Sequence, residues 1–525
     1  MSKYNPALRT YFQRKLASQL GLADDEGFLQ LIWAGNALQS NAEAAAAPYL
    51  KHDYPAAAAT TKLTSPFHMH KWELETLANE LLTIPKRDQS RDARVRTLTT
   101  DSLQNLVNPI NTLRKLENQE AARRLDNISI YREMARIASR QFDWQRGYFN
   151  IPQFYRSTFV YGQGPCAAHF EATYGITVNT FSAVGFAVYT GLNAGPVFDN
   201  GSDLSALGVT REEMRKAFSL LSRPYPELRS LALAERAGIF HTAYRPSVLR
   251  RFPCIEFGAG ERIRSPLPQL ILERVTSGVF YDVVNGGGAV RADYGARFEQ
   301  YCLAYLQAVL PGLGWEPERE YRVRKDRYNT PDILSVRGGE VALAIECKAT
   351  RMSYSAMFGT DADDRGYEDL VKAVVQLWRF FAHSRLGLTG VTASRDAVGA
   401  VLTLDGWLSM ANPLQIEIMA RASKRADADA AITPADRRPI GFVQVTALES
   451  ALVRATEASF TAAMQAIANP DRYGWALSSV HDDFADKRKL ETEYPFRADL
   501  GRLLPWWADL GAAKAATSAP APAPA

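Results

Sequence analysis

Cysteine is scarce in this chain: four in 525 residues, at Cys166, Cys254, Cys302 and Cys347. No two of them form a C-x-x-C pair, so there is no basis for a zinc ribbon or an iron–sulfur cluster. Such usage fits a reducing, cytoplasmic setting. An uncharged apolar run of about 18 residues is also lacking, so no membrane-spanning helix and no membrane partner are expected. The opening MSKYNPALRTYFQRKLASQL puts charges where a secretory signal needs its apolar segment. No internal repeat is visible. Neither sign of charge dominates: the formal net charge is +4, so any nucleic-acid surface has to be a local patch.

What is present is a soluble globular composition, 46% hydrophobic and 22% charged, on a chain too long for one ordinary core. Residues 1–285 read as a mostly α-helical recognition or regulatory region. Its clearest part, 101–142, holds two helical segments, the second starting near Asp126 or Asn127. The stretch TYGITVNTFSAVGFAVYTGL (173–192) reads either as β or as a wholly buried helix. Three glycines, Gly286 to Gly288, lack the Lys and Ser/Thr of a P-loop and read as a flexible domain connection. Beyond them the pattern changes. A helix over 292–310, a hairpin, a helix over 366–384 and strands at 397–404 and 440–448 predict an α/β domain over 286–510. Residues 419–439 read as a helix end running into a mobile loop, and the Ala/Pro tail 511–525 as disordered.

The chemistry concentrates in NTPDILSVRGGEVALAIECKAT, residues 329–350. Metal-assisted phosphodiester hydrolysis needs hard oxygen ligands and a group that holds the attacking water. Asp332 and Glu346 supply carboxylates. Lys348, two residues beyond Glu346 on an extended strand, points to the same side. Val341, Leu343, Ile345 and Cys347 then face the core, leaving Ala342, Ala344, Glu346 and Lys348 towards a cleft. Register is a check. A plain two-residue turn at Gly338-Gly339 puts Asp332 across from Ile345, away from Glu346; one extra residue, as in a glycine bulge, puts it across from Glu346. An irregular hairpin is therefore expected. The bland alternative is an ordinary hairpin with charges on its wet side. Glu299 lies at the edge of the apolar side of the preceding helix. The following helix carries a polar stripe of Lys372, Gln376, Arg379 and His383, placed to line the cleft and touch phosphates.

A Glu299-bearing helix, Pro331-Asp332, Glu346-Cys347-Lys348 and a Gln376-bearing helix together resemble the PD-(D/E)xK nuclease superfamily over about residues 292–385. The resemblance implies a restriction-endonuclease-like domain with an αβββαβ core. It implies Mg²⁺ or Mn²⁺ held by Asp332, Glu346, the backbone carbonyl of Cys347 and Glu299, with Lys348 as the catalytic lysine. Gln376 matches the Gln-x-x-x-Tyr element of one exonuclease branch, with Phe380 where that element carries Tyr. The implied activity is metal-dependent hydrolysis of DNA, with RNA open as a substrate, in a restriction, phage-defence or repair role. The same core used for binding without catalysis is the alternative. Residues 1–285 would receive a protein partner or trigger, and assembly into a homo-oligomer is left open.

Weaker signals complete the reading. Arg132, Arg136 and Arg140 recur at i, i+4, i+8 and form a stripe that could contact phosphates or simply face solvent. The aromatic run over 141–164 reads as core rather than as a base-stacking surface. Cys166 with His169, and His68 with His70, read as structural.

Overall fold

A computed structural model describes residues 4–51, 54–85, 98–121, 140–141, 151–349, 351, 364–406, 412–486 and 488–508. Arg132, Arg136, the helix start at Asp126 or Asn127 and the 511–525 tail lie outside the described residues.

The N-terminal region is helical, as its periodicity predicts. Helix α1 (Pro6–Gly21) starts on Asn5, whose side chain accepts from Ala7 and Leu8 N–H, with Pro6 at the first turn. Helices α2 (Asp25–Leu38), α3 (Lys71–Thr83) and α4 (Leu103–Ala121) pack around Phe28, Trp33, Leu77 and Leu113 in one buried cluster. Next come α5 (Ile151–Tyr161), α6 (Gly164–Tyr174) and α7 (Val178–Ala194). The ambiguous 173–192 stretch is thus a helix, capped by the Thr177 hydroxyl on Thr180 N–H. Phe154, Tyr155 and Tyr161 are buried, as a core reading of that run requires. Cys166 is buried, and His70 stacks on Trp72. A small sheet of β1 (Phe198–Asp199), β2 (Ser222–Pro224), β3 (Cys254–Phe257) and β4 (Arg262–Arg264) closes the region.

The glycine run does not form the expected flexible connection. Gly286 caps helix α8 (Gly287–Val309), and Gly287 and Gly288 are its first residues. Nor does a break in the core follow it. Phe154, Phe181, Phe298, Ile345 and Trp506 all belong to one buried cluster, so both sides of the expected boundary share a core.

After α8 come β5 (Trp315–Pro317), a separate two-stranded ribbon of β6 (Glu320–Val323) and β7 (Asp326–Asn329), then β8 (Ile333–Arg337) and β9 (Glu340–Lys348). Helix α9 (Asp364–Arg385), β10 (Thr392–Thr403), α10 (Asn412–Ala426), β11 (Ile440–Gln444), α11 (Val445–Leu452) and α12 (Glu457–Ile467) follow. The 440–448 strand therefore stops at Gln444, and part of the expected mobile loop is the end of α10. The main sheet runs β11-β10-β9-β8-β5. β5, β8 and β9 are antiparallel to one another in turn, whereas β10 and β11 run parallel to β9.

Helices cover both sides of this sheet. Leu343, Ile345 and Cys347 pack with α8, and Leu334 and Ala344 pack under α9. Burial on both sides explains the nearly unbroken apolar run of β9. It also corrects the expected division, because Ala344 and Glu346 are buried and, of the four residues expected towards a cleft, only Ala342 and Lys348 are half-buried.

Candidate catalytic site

The β8–β9 hairpin is irregular, but not at its glycines. Arg337 pairs with Glu340 across a two-residue turn, Gly338 and Gly339 both at positive φ (60° and 85°), the backbone such a turn demands. The extra residue is Ala342. Val336 pairs with Val341, but Ser335 pairs with Leu343. This bulge moves Val341 to the α9 side, where it packs with Leu334 and Ala344, against the expectation that it lies with Leu343. Val336 N–H donates to Gly314 O at 2.8 Å. Beyond the bulge Ile333 pairs with Ile345, and one more residue of that register puts Asp332 across from Glu346.

The acidic groups meet there. Asp332 Oδ2 accepts the backbone N–H of Cys347 at 2.6 Å, and Lys348 Nζ lies 2.8 Å from Glu346 Oε1. Burial pushes the Asp332 carboxyl well above the usual carboxylate range, and the Glu346 and Glu299 charges add to it. Glu299, on α8, is raised to about 7 by burial and by the charges of Glu318 and Glu346. Burial also raises Glu346, against the pull of Lys348. Burial alone would lower the Lys348 ammonium, but Glu346 and Asp332 outweigh it and raise it, so the lysine stays charged.

A cleft of about 360 Å³ opens over Asp332 and Glu346, lined also by Glu318, Gln376 and Arg379 together with the β6–β7 ribbon. Gln376 is exposed towards it from α9. Glu318, in the short link between β5 and β6, is a further acidic group that sequence reasoning missed; no hydrophobic pattern marks that link.

The expected phosphate-contacting cations fare differently. Lys372 pairs with Asp369, Arg379 with Asp429, and Arg140 with Glu117 beneath α3, 9% exposed. His383 is buried, its Nδ1 2.9 Å from the Tyr321 hydroxyl. Phe380 is buried in the core under α9 and takes no part in the cleft. Thus Glu299, Asp332, Glu346, Lys348 and Gln376 come together, while Lys372, His383 and Arg140 are otherwise engaged.

Among the described residues no group of three or more His, Cys, Asp and Glu side chains is gathered closely enough to hold a metal ion. A larger cavity, about 510 Å³, lies beside α5 away from the carboxylates. Its charged groups pair with one another, Arg156 with Glu449 and Arg351 with Asp405. No helix among the described residues is long and apolar enough to cross a membrane. The chain matches no family model, no curated protein and no solved structure.

Proposed function

We propose that this chain is a divalent-metal-dependent nuclease acting on DNA, built on a restriction-endonuclease-like core. The observation that carries the reading is the convergence of Asp332, Glu346 and Lys348 at one edge of the sheet, where Asp332 and Glu346 line a cleft that also receives Gln376 and Lys348 bonds to Glu346 from beside it. Support for the fold is the order of elements in the main sheet once the β6–β7 ribbon, inserted between β5 and β8, is set aside: a helix, three antiparallel strands, a helix, then a strand parallel to the third. That is the αβββαβ order of the PD-(D/E)xK superfamily.

Support for the metal is electrostatic. Glu299, Glu318, Asp332 and Glu346 crowd a partly buried site against the single ammonium of Lys348. A hard cation relieves such crowding. Mg²⁺ commonly needs only one or two carboxylates and keeps several waters, so a ready cage of three side chains is not required. Asp332 and Glu346, with Glu299 and the Cys347 carbonyl, would hold Mg²⁺ or Mn²⁺. When bound, the ion supplies Lewis acidity at the phosphoryl oxygen and lowers the pKa of its water. Glu346 keeps Lys348 protonated, so the lysine serves as donor and charge stabiliser at the reacting phosphate, not as a base. The Gln376 amide is placed to orient water or a phosphate oxygen.

A second reading is a nucleic-acid-binding core without catalysis, since no ready group of three ligands is gathered among the described residues. Incubating supercoiled and linear DNA with Mg²⁺, Mn²⁺ or EDTA separates the two. Metal-dependent cutting of both forms indicates an endonuclease, and cutting of linear DNA alone a repair-type exonuclease. Binding without cutting in any condition supports the second reading. A restriction or phage-defence role, with residues 1–285 receiving the trigger, extends the first reading.

A further inference from the structure

The ribbon of β6 and β7 pairs only with itself and stands apart from the main sheet. Strand alternation divides its side chains. Tyr321 and Tyr328 stack across the ribbon with ring centroids 5.8 Å apart, and both rings meet His383 of α9 edge-on. That side is anchored to the body of the domain. The other side carries Arg322 and Arg327, directly opposite in register and both exposed. The turn adds Arg324 and Lys325, also exposed, with Arg324 at φ +57°, where glycine is the usual residue.

Like charges directly across a ribbon repel, and little here offsets that. Arg327 reaches only an exposed Glu320 at 3.6 Å, and no ion pair holds Arg322, Arg324 or Lys325 among the described residues. Arg379 and Lys372, by contrast, already have acidic partners. Tyr321, Arg327, Tyr328 and Asn329 line the same cleft as Asp332 and Glu346, so the ribbon borders the carboxylates and Arg327 is the basic residue through which its outer side reaches them. An isolated two-stranded ribbon is marginal by itself. A polyanion on its outer side removes the repulsion, and a two-stranded ribbon is a shape that the roughly 12 Å major groove of duplex DNA admits.

We infer that the β6–β7 ribbon grips duplex DNA, laying Arg322, Arg324, Lys325 and Arg327 along its phosphates and bringing the backbone to the carboxylate cleft. What happens to the DNA there rests on the nuclease reading; the grip does not.

The test is anisotropy of a labelled duplex of about 30 bp with the full chain in EDTA, over a salt series, beside the single strand and an RNA duplex of the same sequence. Arg322→Gln/Arg327→Gln is expected to weaken duplex binding at least about 10-fold and to flatten the salt slope by about 2, with a melting temperature no lower than that of the wild type. Arg454→Gln/Arg497→Gln, at exposed arginines that do not line the cleft, is expected to bind as wild type. No duplex binding by the wild type, equal binding by the ribbon variant, or arginine-dependent binding confined to single strands or RNA overturns the inference. Ribbon-dependent binding without Mg²⁺-dependent cutting upholds it while ending the nuclease reading. Cutting that is unaffected by the ribbon variant does the reverse.

Discussion

Cys347 donates its backbone N–H to Asp332 Oδ2 at 2.6 Å, across a hairpin whose register is displaced by one residue at Ala342. A single bulged residue therefore decides whether the two carboxylates share a side of the sheet. Without it, Asp332 would stand opposite Ile345, buried on the α8 side.

Gly314 supports that bulge, and Gly314→Ala tests it. Its carbonyl takes the Val336 N–H; its φ is +63°, and an added Cβ would lie 2.2 Å from Val336 O. Strain and backbone clash together are expected to lower stability by about 2 kcal/mol or more. Urea denaturation measures it. A variant as stable as wild type would show that the bulge does not depend on this contact.

Glu299 gives a pH signature in metal-free protein. Its folded pKa, about 7, lies above its unfolded value near 4.5. The folded state then binds the extra proton, and stability falls as pH rises between those values. Glu299→Gln should remove this fall, so the variant gains on wild type by about 1–2 kcal/mol from pH 4 to pH 8, a figure reduced for the group's partial exposure. Melting curves at several pH values in EDTA measure the difference. A constant gap across that range contradicts the crowding of carboxylates.

Lys348→Met separates charge stabilisation from folding. The variant leaves Glu346 buried without its partner, costing about 2 kcal/mol at pH 8 and progressively less as the pH falls and the raised Glu346 carboxyl takes up a proton. Under single-turnover conditions cleavage is expected to slow by about 10²–10³-fold. Wild-type cleavage by a folded variant would remove Lys348 from the site.

The shared core makes a prediction far from the site. Arg156 of α5 and Glu449 of α11 form a buried ion pair, with Tyr301 of α8 donating to Glu449 at 2.6 Å. Glu449→Ala strands a buried guanidinium and should destabilise the chain by about 3–5 kcal/mol. Arg156→Met/Glu449→Leu should recover most of that loss. Chemical denaturation of the three proteins measures both, and a mild single variant would contradict the buried pairing.

Much of the α/β region was legible in the sequence, because alternation and 3.6-residue periodicity are local. The helices and strands around Glu299, Asp332, Glu346 and Gln376 fall close to the expected positions, and the need for one extra hairpin residue followed from counting. Its location did not, since the glycine pair satisfies the turn and Ala342 carries no mark. The missing boundary at Gly286 is a tertiary fact: helices α5 to α7 share their core with α8 and the main sheet. The partner of Arg379, which lines the cleft as expected, is likewise a tertiary fact. Asp429, which engages Arg379, is 50 residues further along the chain. The ribbon escaped notice because its strands are only four residues each and half of those residues are charged, too short and too polar to stand out as strands.

The central claim is tested most directly by cutting of supercoiled DNA in Mg²⁺ and in Mn²⁺, wild type beside Glu346→Ala, with DNA binding followed in parallel. The account predicts nicked or linear product from the wild type only when metal is present, and none from the variant, which still binds. Cutting that persists in Glu346→Ala, or metal-independent cutting by either protein, would contradict it.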